Sequence, residues 1–277
     1  MTVKIVTDSV SDLPPEIAEE LGITVVPLYV HFGNESYRDR IDLTPEEFYH
    51  RLEHSKTLPT TAAPSPGSFA EAYDRLAEET GEILVITLGF GATHGSAVKG
   101  IELMEGKCRV EVVNSRKAVM AQGLMVIAAA KVANAGANLD EVVDITHRNI
   151  QRVDFRATFD TLEYLRRGGR IGAAQALLGS MLKVNPIITV RDGEVRPAGR
   201  VRSRAKAIDY LYKFATSYSH IEEMAIEDAT TPEEAEMLAE RLSSKFPKEC
   251  IYRSKASPVI GTHTGPGLLV VSVLGDR

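Results

Sequence analysis

The chain has 277 residues, of which 44% are hydrophobic and 25% charged, and its formal net charge is −6. This is the composition of a globular protein long enough for one large domain or two ordinary ones; the acidic balance and the lack of a long basic run exclude a general nucleic-acid footprint. Two distant cysteines, Cys108 and Cys250, make no disulfide framework, no secretory pattern opens the chain, and the longest mainly apolar stretch contains Lys131, so a cytoplasmic protein is expected.

Residues 4–9 read as a buried strand ending in polar groups, and a helix follows from Asp12 to a stop at Gly22. Residues 24–32 read as one strand, with Gly33-Asn34 turning into residues 35–39. Thr44 and Pro45 are the N-cap and first residue of a short helix. A helix over 65–80, a strand over 82–88, a loop and helix over 91–104 and a strand over 108–115 continue the alternation. Residues 120–136 are almost wholly apolar and predict a buried helix. A helix over 138–153 closes this half. Strand–helix alternation implies a mainly parallel sheet covered on both faces.

The second half changes character. A strand over 155–161 precedes a helical stretch from Leu162 and a short apolar helix over 173–182. Asp192-Gly193 joins two strands over 185–201 as a hairpin. Helix 203–218, strand 222–228, helix 231–246, strand 250–254 and a closing strand within 265–274 complete it. The fold class is α/β: two α/β domains, residues 1–153 with a mainly parallel sheet and residues 154–277 with a mixed or antiparallel one.

Five segments hold candidate chemistry. In TDSVSDL, Asp8 and Ser9 stand where the first strand ends, the usual ligand edge of an open sheet, although a turn and helix cap needs the same residues. In LPTTAAPSPGSF, hydroxyls precede a Pro-stiffened turn; each is a neutral donor for a carboxylate or phosphate, or a plain loop cap. TLGFGATHGSA brings glycines to the start of a helix, a place for backbone N–H groups to meet an anion. No Walker lysine follows, and His94 stands where a dinucleotide motif needs its third glycine. LEYLRRGGRIG sets Arg170 beside a glycine pair, to neutralise an anion or to end a helix. In IGTHTGPG, His263 lies between Gly261 and Gly265, read here as two turns, and serves either a ligand or the backbone. His50 and His54 share helical spacing, but Arg51 occupies the position of a zinc protease's glutamate, so no metal site is expected.

Together these segments resemble the DegV family of fatty-acid-binding proteins over nearly the whole chain: VTDSVSDL, LPTTAAPSPGSF, LEYLRRGGRIGAAQALLGSMLKVNPII and IGTHTGPG occur in order. The resemblance implies a DegV-like fold with a lipid tunnel near the domain junction. It implies a carrier without catalysis of its own and without a cofactor. The carrier takes a long-chain fatty acid such as palmitate or stearate through transient membrane-surface contact, and presents the carboxylate to a fatty acid kinase subunit that makes an acyl phosphate. It also implies roles for particular residues: Thr61 as hydroxyl donor to the carboxylate, His263 beside the head, Arg170 near it, and Gly91, Ala92 and Thr93 at the ligand-binding loop.

This chain departs from the family pattern. Gly91-Ala92-Thr93-His94 replaces Ser-Gly-Thr-Tyr, so a serine hydroxyl is missing. Ala62-Ala63 replace Ser-Gln, Asn114 an aspartate, Val119 a serine and Asn185 a lysine. Two other functions compete with the carrier: a lipid sensor with no kinase partner, and a serine hydrolase using Ser115 or Ser9 with His263.

Overall fold

The computed structural model describes residues 2–55, 57–178 and 184–277. Strands β1 (Lys4–Asp8) and β2 (Ile23–Val26) are followed by β3 (Tyr29–Phe32), β4 (Glu35–Arg38) and β5 (Thr60–Ala62), then β6 (Glu82–Thr87) and β7 (Arg109–Asn114). Strands β2-β1-β6-β7 form an all-parallel sheet, whereas β4-β3-β5 form a small antiparallel one. The helices of this half are α1 (Pro15–Glu20), α2 (Pro45–His54), α3 (Pro66–Ala77), α4 (Thr93–Leu103), α5 (Val119–Asn134) and α6 (Leu139–Arg152). Thr44 caps α2 in a capping box with Glu47, as its sequence position predicts.

Beyond α6 come β8 (Val153–Thr158), α7 (Glu163–Arg167), β9 (Asn185–Arg191), β10 (Glu194–Val201), α8 (Arg204–Ala215), β11 (His220–Asp228), α9 (Pro232–Ser243), β12 (Ile251–Lys255), α10 (Pro258–Thr264) and β13 (Leu269–Asp276). The strands form a mixed sheet ordered β10-β9-β8-β13-β11-β12, parallel only at β11–β12. The β9–β10 hairpin turns at Asp192 and Gly193, with φ of 53° and 73°, the double left-handed turn that matches strand twist.

Helices α5 and α6 lie between the two large sheets. The side chains of α5 are apolar on nearly every face, with Lys131 and Asn134 exposed near its end, because it packs on β1 and β6 of one sheet and on β8, β11 and β13 of the other. Helices α3 and α4 cover the outer face of the parallel sheet, and α8 and α9 that of the mixed sheet. The central core runs from Val3 to Leu274 and contains residues from both halves.

Four local expectations fail for identifiable reasons. The strand expected over 24–32 is broken at Pro27, which cannot donate to a ladder, and its two parts join different sheets. The helix expected from Asp12 begins at Pro15, after a 3₁₀ turn over Ser9–Ser11 that leaves Asp12 left-handed at φ 49°. The helix expected over 173–182 is a 3₁₀ turn over Gly172–Leu177, and residues 179–183 lie outside the described residues. Finally, of the two glycine turns expected around His263 only the second forms: Gly265 ends a helix, α10, at φ 74° and a turn follows at Pro266-Gly267, whereas Gly261 falls within that helix. Ser257 caps it and Pro258 opens it, and Gly261 sits inside it, where an added Cβ would stand 2.5 Å from Phe48 Cε1 and 2.7 Å from the Tyr49 hydroxyl. That glycine serves close packing against α2 rather than a turn.

Candidate ligand cavity

A cavity of about 310 Å³ lies between the two large sheets, within the range of small-molecule sites. Its walls come from both halves of the chain: Val10, Leu28, Leu88, Phe90 and Val119 from one, Phe155, Phe159, Ile188, Val190, Val195 and Val270 from the other. The polar liners are Thr61, Thr93, Arg170, His263 and Thr264, and Thr61, Arg170 and His263 share one end, where they also line an adjoining pocket. Gly91, Ala92 and Arg170 are exposed, so this end opens to solvent. All six residues singled out by sequence (Thr61, Gly91, Ala92, Thr93, Arg170 and His263) line this one cavity.

Thr61 stands in β5 opposite Val30, and this short strand holds its hydroxyl against α10. Thr61 Oγ1 lies 2.9 Å from His263 Nε2. The Nδ1 of His263 is buried and has no hydrogen-bond partner among the described residues. A buried N–H without an acceptor costs more than an unmet lone pair, which assigns the ring proton to Nε2, donated to Thr61. The Thr61 hydroxyl hydrogen is then free to point into the cavity. Burial, with the Arg170 charge second, lowers the His263 pKa to about 4, so the ring is neutral at ordinary pH. Gly168 leaves the space its ring occupies; any side chain there would collide with Nδ1. Arg170 Nη1 donates to the Gly168 carbonyl at 2.8 Å, which steers the guanidinium along the rim.

The third segment contributes a helix start. Ala92 sits at the N-cap of α4 with no side-chain cap, so the first N–H groups of α4 lack intrahelical acceptors beside the rim. Thr93 is 1% exposed and lines the cavity. Gly91 takes φ 84°, a left-handed conformation that L side chains rarely adopt. Val119, also at the wall, takes φ 55°, which costs a β-branched residue roughly 1–2 kcal/mol.

Asp8 and Ser9 do not line the cavity; they hold the loops that do. Asp8 accepts from the N–H groups of Val10 (3.1 Å) and Leu88 (2.6 Å), and Ser9 Oγ from Leu28 N–H (3.0 Å). Each donor belongs to a residue of the cavity wall. Burial raises the Asp8 pKa to about 6. The serines of the hydrolase reading are engaged elsewhere. Ser115 Oγ donates to the Lys117 carbonyl and accepts its N–H, and neither Ser115 nor Ser9 is a cavity residue. His50 and His54 stack on each other at 4.5 Å, and among the described residues no group of three or more His, Cys, Asp or Glu side chains is placed to hold a metal ion. No described helix is long and apolar enough to cross a membrane.

The apolar wall was invisible as a set in the sequence, because its members come from eight separate segments. Phe155, Ile188, Val190, Val195 and Val270 come from strands, but Val10, Leu28, Leu88, Phe90, Val119 and Phe159 come from turns, loops and a helix start, and only the packing of the two sheets brings them together.

Two sheets enclosing an apolar cavity with polar residues in its lining define an α/β protein with room for an amphiphile. The chain belongs to the DegV family: the family described as "Uncharacterised protein, DegV family" matches residues 2–276. A DegV domain-containing protein of Streptomyces coelicolor is 37% identical over 277 residues, covering 98% of each chain. A solved structure described as fatty acid binding of a DegV family protein from Thermus thermophilus has 33% identity and a TM-score of 0.91, covering 99% of this chain and 100% of that one. DegV of Bacillus subtilis, described as a fatty acid binding protein, has 31% identity and a TM-score of 0.88 over 99% of each chain.

Proposed function

We propose that this protein binds a long-chain fatty acid, tail in the cavity and carboxylate at the Thr61–His263 end, and presents that carboxylate to a separate kinase subunit for acyl-phosphate formation. The observation that carries the reading is the continuous apolar wall ending in one hydrogen-bonded hydroxyl–imidazole pair. A ~C16 tail has about fourteen methylenes, and at ~0.8 kcal/mol each they supply roughly 11 kcal/mol of gross transfer free energy. That exceeds the lower range of association costs, so the polar end needs only to orient the head and keep its charge partnered.

On this reading Thr61 donates its free hydroxyl hydrogen to one carboxylate oxygen. Thr93 and the uncapped N–H groups of α4 serve the other oxygen, in place of the side chain that Gly91 lacks. Arg170 neutralises charge at the open rim. Residues 1–153 and 154–277 act as two domains closing on the tail between them. Loading through brief contact with a membrane surface in the cytoplasm completes the picture.

His263 has no third group orienting its Nδ1 among the described residues, and the hydroxyl beside it is a threonine. That arrangement favours a passive carrier over a nucleophile–base–orienter triad. The absent side chain at Gly91 favours one alternative, a lipid sensor that no longer meets a kinase.

The test is mass spectrometry of the organic extract from purified protein, followed by reconstitution with ATP and the organism's kinase subunit. Recovery of a C16–C18 acid and formation of acyl phosphate are expected. A lipid-free protein that takes up no added palmitate overturns the binding reading, and bound lipid without acyl phosphate leaves the sensor.

A further inference from the structure

At the N-terminal end of α10 lies a group of charges withdrawn from water. Asp12, Asp39 and Glu227 are each at most 1% exposed. Asp12 Oδ1 accepts the N–H of Ser257 and Asp39 Oδ1 that of Val259, both at 3.2 Å. These two bonds hold the start of the helix whose last turn carries His263. Glu227, on β11, accepts the N–H of Met120 at the start of α5 at 2.9 Å. Arg40 Nη2 reaches Asp12 Oδ1 at 3.3 Å and also donates to the Lys255 carbonyl.

The charges do not balance. Besides Asp12 and Arg40, the titratable groups around Glu227 are Asp8 on β1, Asp39, Tyr49 on α2, and Asp228 with Lys255 on the mixed sheet. Lys255 is committed to Asp228 at 2.7 Å. Arg40 therefore faces three buried carboxyl groups. Three of their oxygens, Asp12 Oδ2, Asp39 Oδ2 and Glu227 Oε1, have no donor among the described residues, and of these groups Asp12 and Glu227 are within hydrogen-bonding reach of each other. One proton between them removes one charge and satisfies both oxygens.

We propose that Asp12 and Glu227 share a single proton, and that this pair is the clamp that fixes the start of α10 and so positions His263 at the cavity head. Glu227 is a positioning residue here; only the role of His263 toward a lipid rests on the function proposed above. Burial, reinforced by the Asp12 charge, holds the Glu227 pKa well above the usual carboxylate range. Loss of the shared proton leaves two facing buried carboxylates, and their repulsion works against the Asp12 bond to Ser257.

Glu227→Gln mimics the protonated state, because its amide oxygen can accept from Met120 and its NH₂ can donate to Asp12. Urea unfolding of the full chain across about pH 5 to 8 reads the proton as the difference in slope between parent and E227Q, because Asp8, raised to about 6, and Asp39, raised to about 7, add slopes common to both. Glu227 holds its proton in the folded state above the pH at which the unfolded chain has lost it. Parental stability should therefore fall through this window, by up to about tenfold in the unfolding constant per pH unit for one proton. E227Q should lose that component of the slope and keep the parental ¹⁵N signals of His263. E227A should shift those signals, and release bound palmitate faster than the parent at every pH. A parental slope in E227Q, or unmoved His263 signals in E227A, overturns the clamp; if E227A does not fold, the E227Q slope decides. A parent that binds no palmitate, with the slope still lost in E227Q, supports the clamp and sinks the lipid reading alone.

Discussion

Two glycines inside helices predict opposite outcomes for the same substitution. In Gly261→Ala the new Cβ meets Phe48 Cε1 at 2.5 Å and the Tyr49 hydroxyl at 2.7 Å, where ordinary contact begins at 3.4 Å, so the Phe48 ring or α10 must retreat by 0.9 Å (3.4 − 2.5). Both rings are buried, at 0% and 4% exposure, and Tyr49 donates to the Ala256 carbonyl just before α10. Overpacking costs about 1–3 kcal/mol and the strained hydrogen bond about 1 more, against a gain of up to ~1 from alanine's helix propensity. The net loss is about 1–3 kcal/mol, or roughly 2–6 °C in Tm for a chain of this size. Gly95→Ala, in α4 with no atom within 4 Å of its added Cβ, carries only the propensity term and should stabilise by up to ~1 kcal/mol. Thermal unfolding of the two variants side by side is the assay. If Gly261→Ala melts with or above the parent, α10 does not depend on close packing against α2, and the reasoning fails.

His263 should remain neutral down to about pH 4, as seen by ¹⁵N NMR of its ring; because the unfolded chain protonates first, this group withdraws stability as pH falls from 6.5 toward 4. Arg170→Gln should restore less than half of that depression, since burial is the larger cause, and a full return to 6.5 contradicts it. Thr61→Val removes a donor to a charged head and should weaken palmitate binding by about 10- to 150-fold, measured by titration calorimetry. Ile188→Trp, which fills part of the wall, should exclude about three methylenes and cost ~2.4 kcal/mol for palmitate, while shorter acids lose less. Ser115→Ala should change neither lipid uptake nor ester turnover.

Much of the fold was legible because the α/β alternation and the Asp192-Gly193 turn are local signals. What escaped depended on competition or distance. Around His263 the glycines outweighed Ser257-Pro258, a cap followed by a first-turn proline, which is the stronger physical cue for a helix. Thr61 reads as loop because a three-residue strand has no periodicity; only its pairing with β3 makes it one. The head residues were found through motif order rather than geometry, and the shared-proton pair was not found at all. Asp12 and Glu227 lie 215 residues apart (227 − 12), one just after β1 and the other on β11, and nothing in either neighbourhood marks its carboxyl as buried.

The order of strands also bears on when the protein becomes competent. Residues 269–276 leave the ribosome after every other strand, yet β13 lies in the middle of the mixed sheet, with β8 on one side and β11 on the other. Leu268 and Val270, at this late segment, supply part of the apolar cavity wall. A nascent chain therefore exposes half a greasy trough until β13 has emerged, and a product truncated ahead of β13 has nothing with which to shut it.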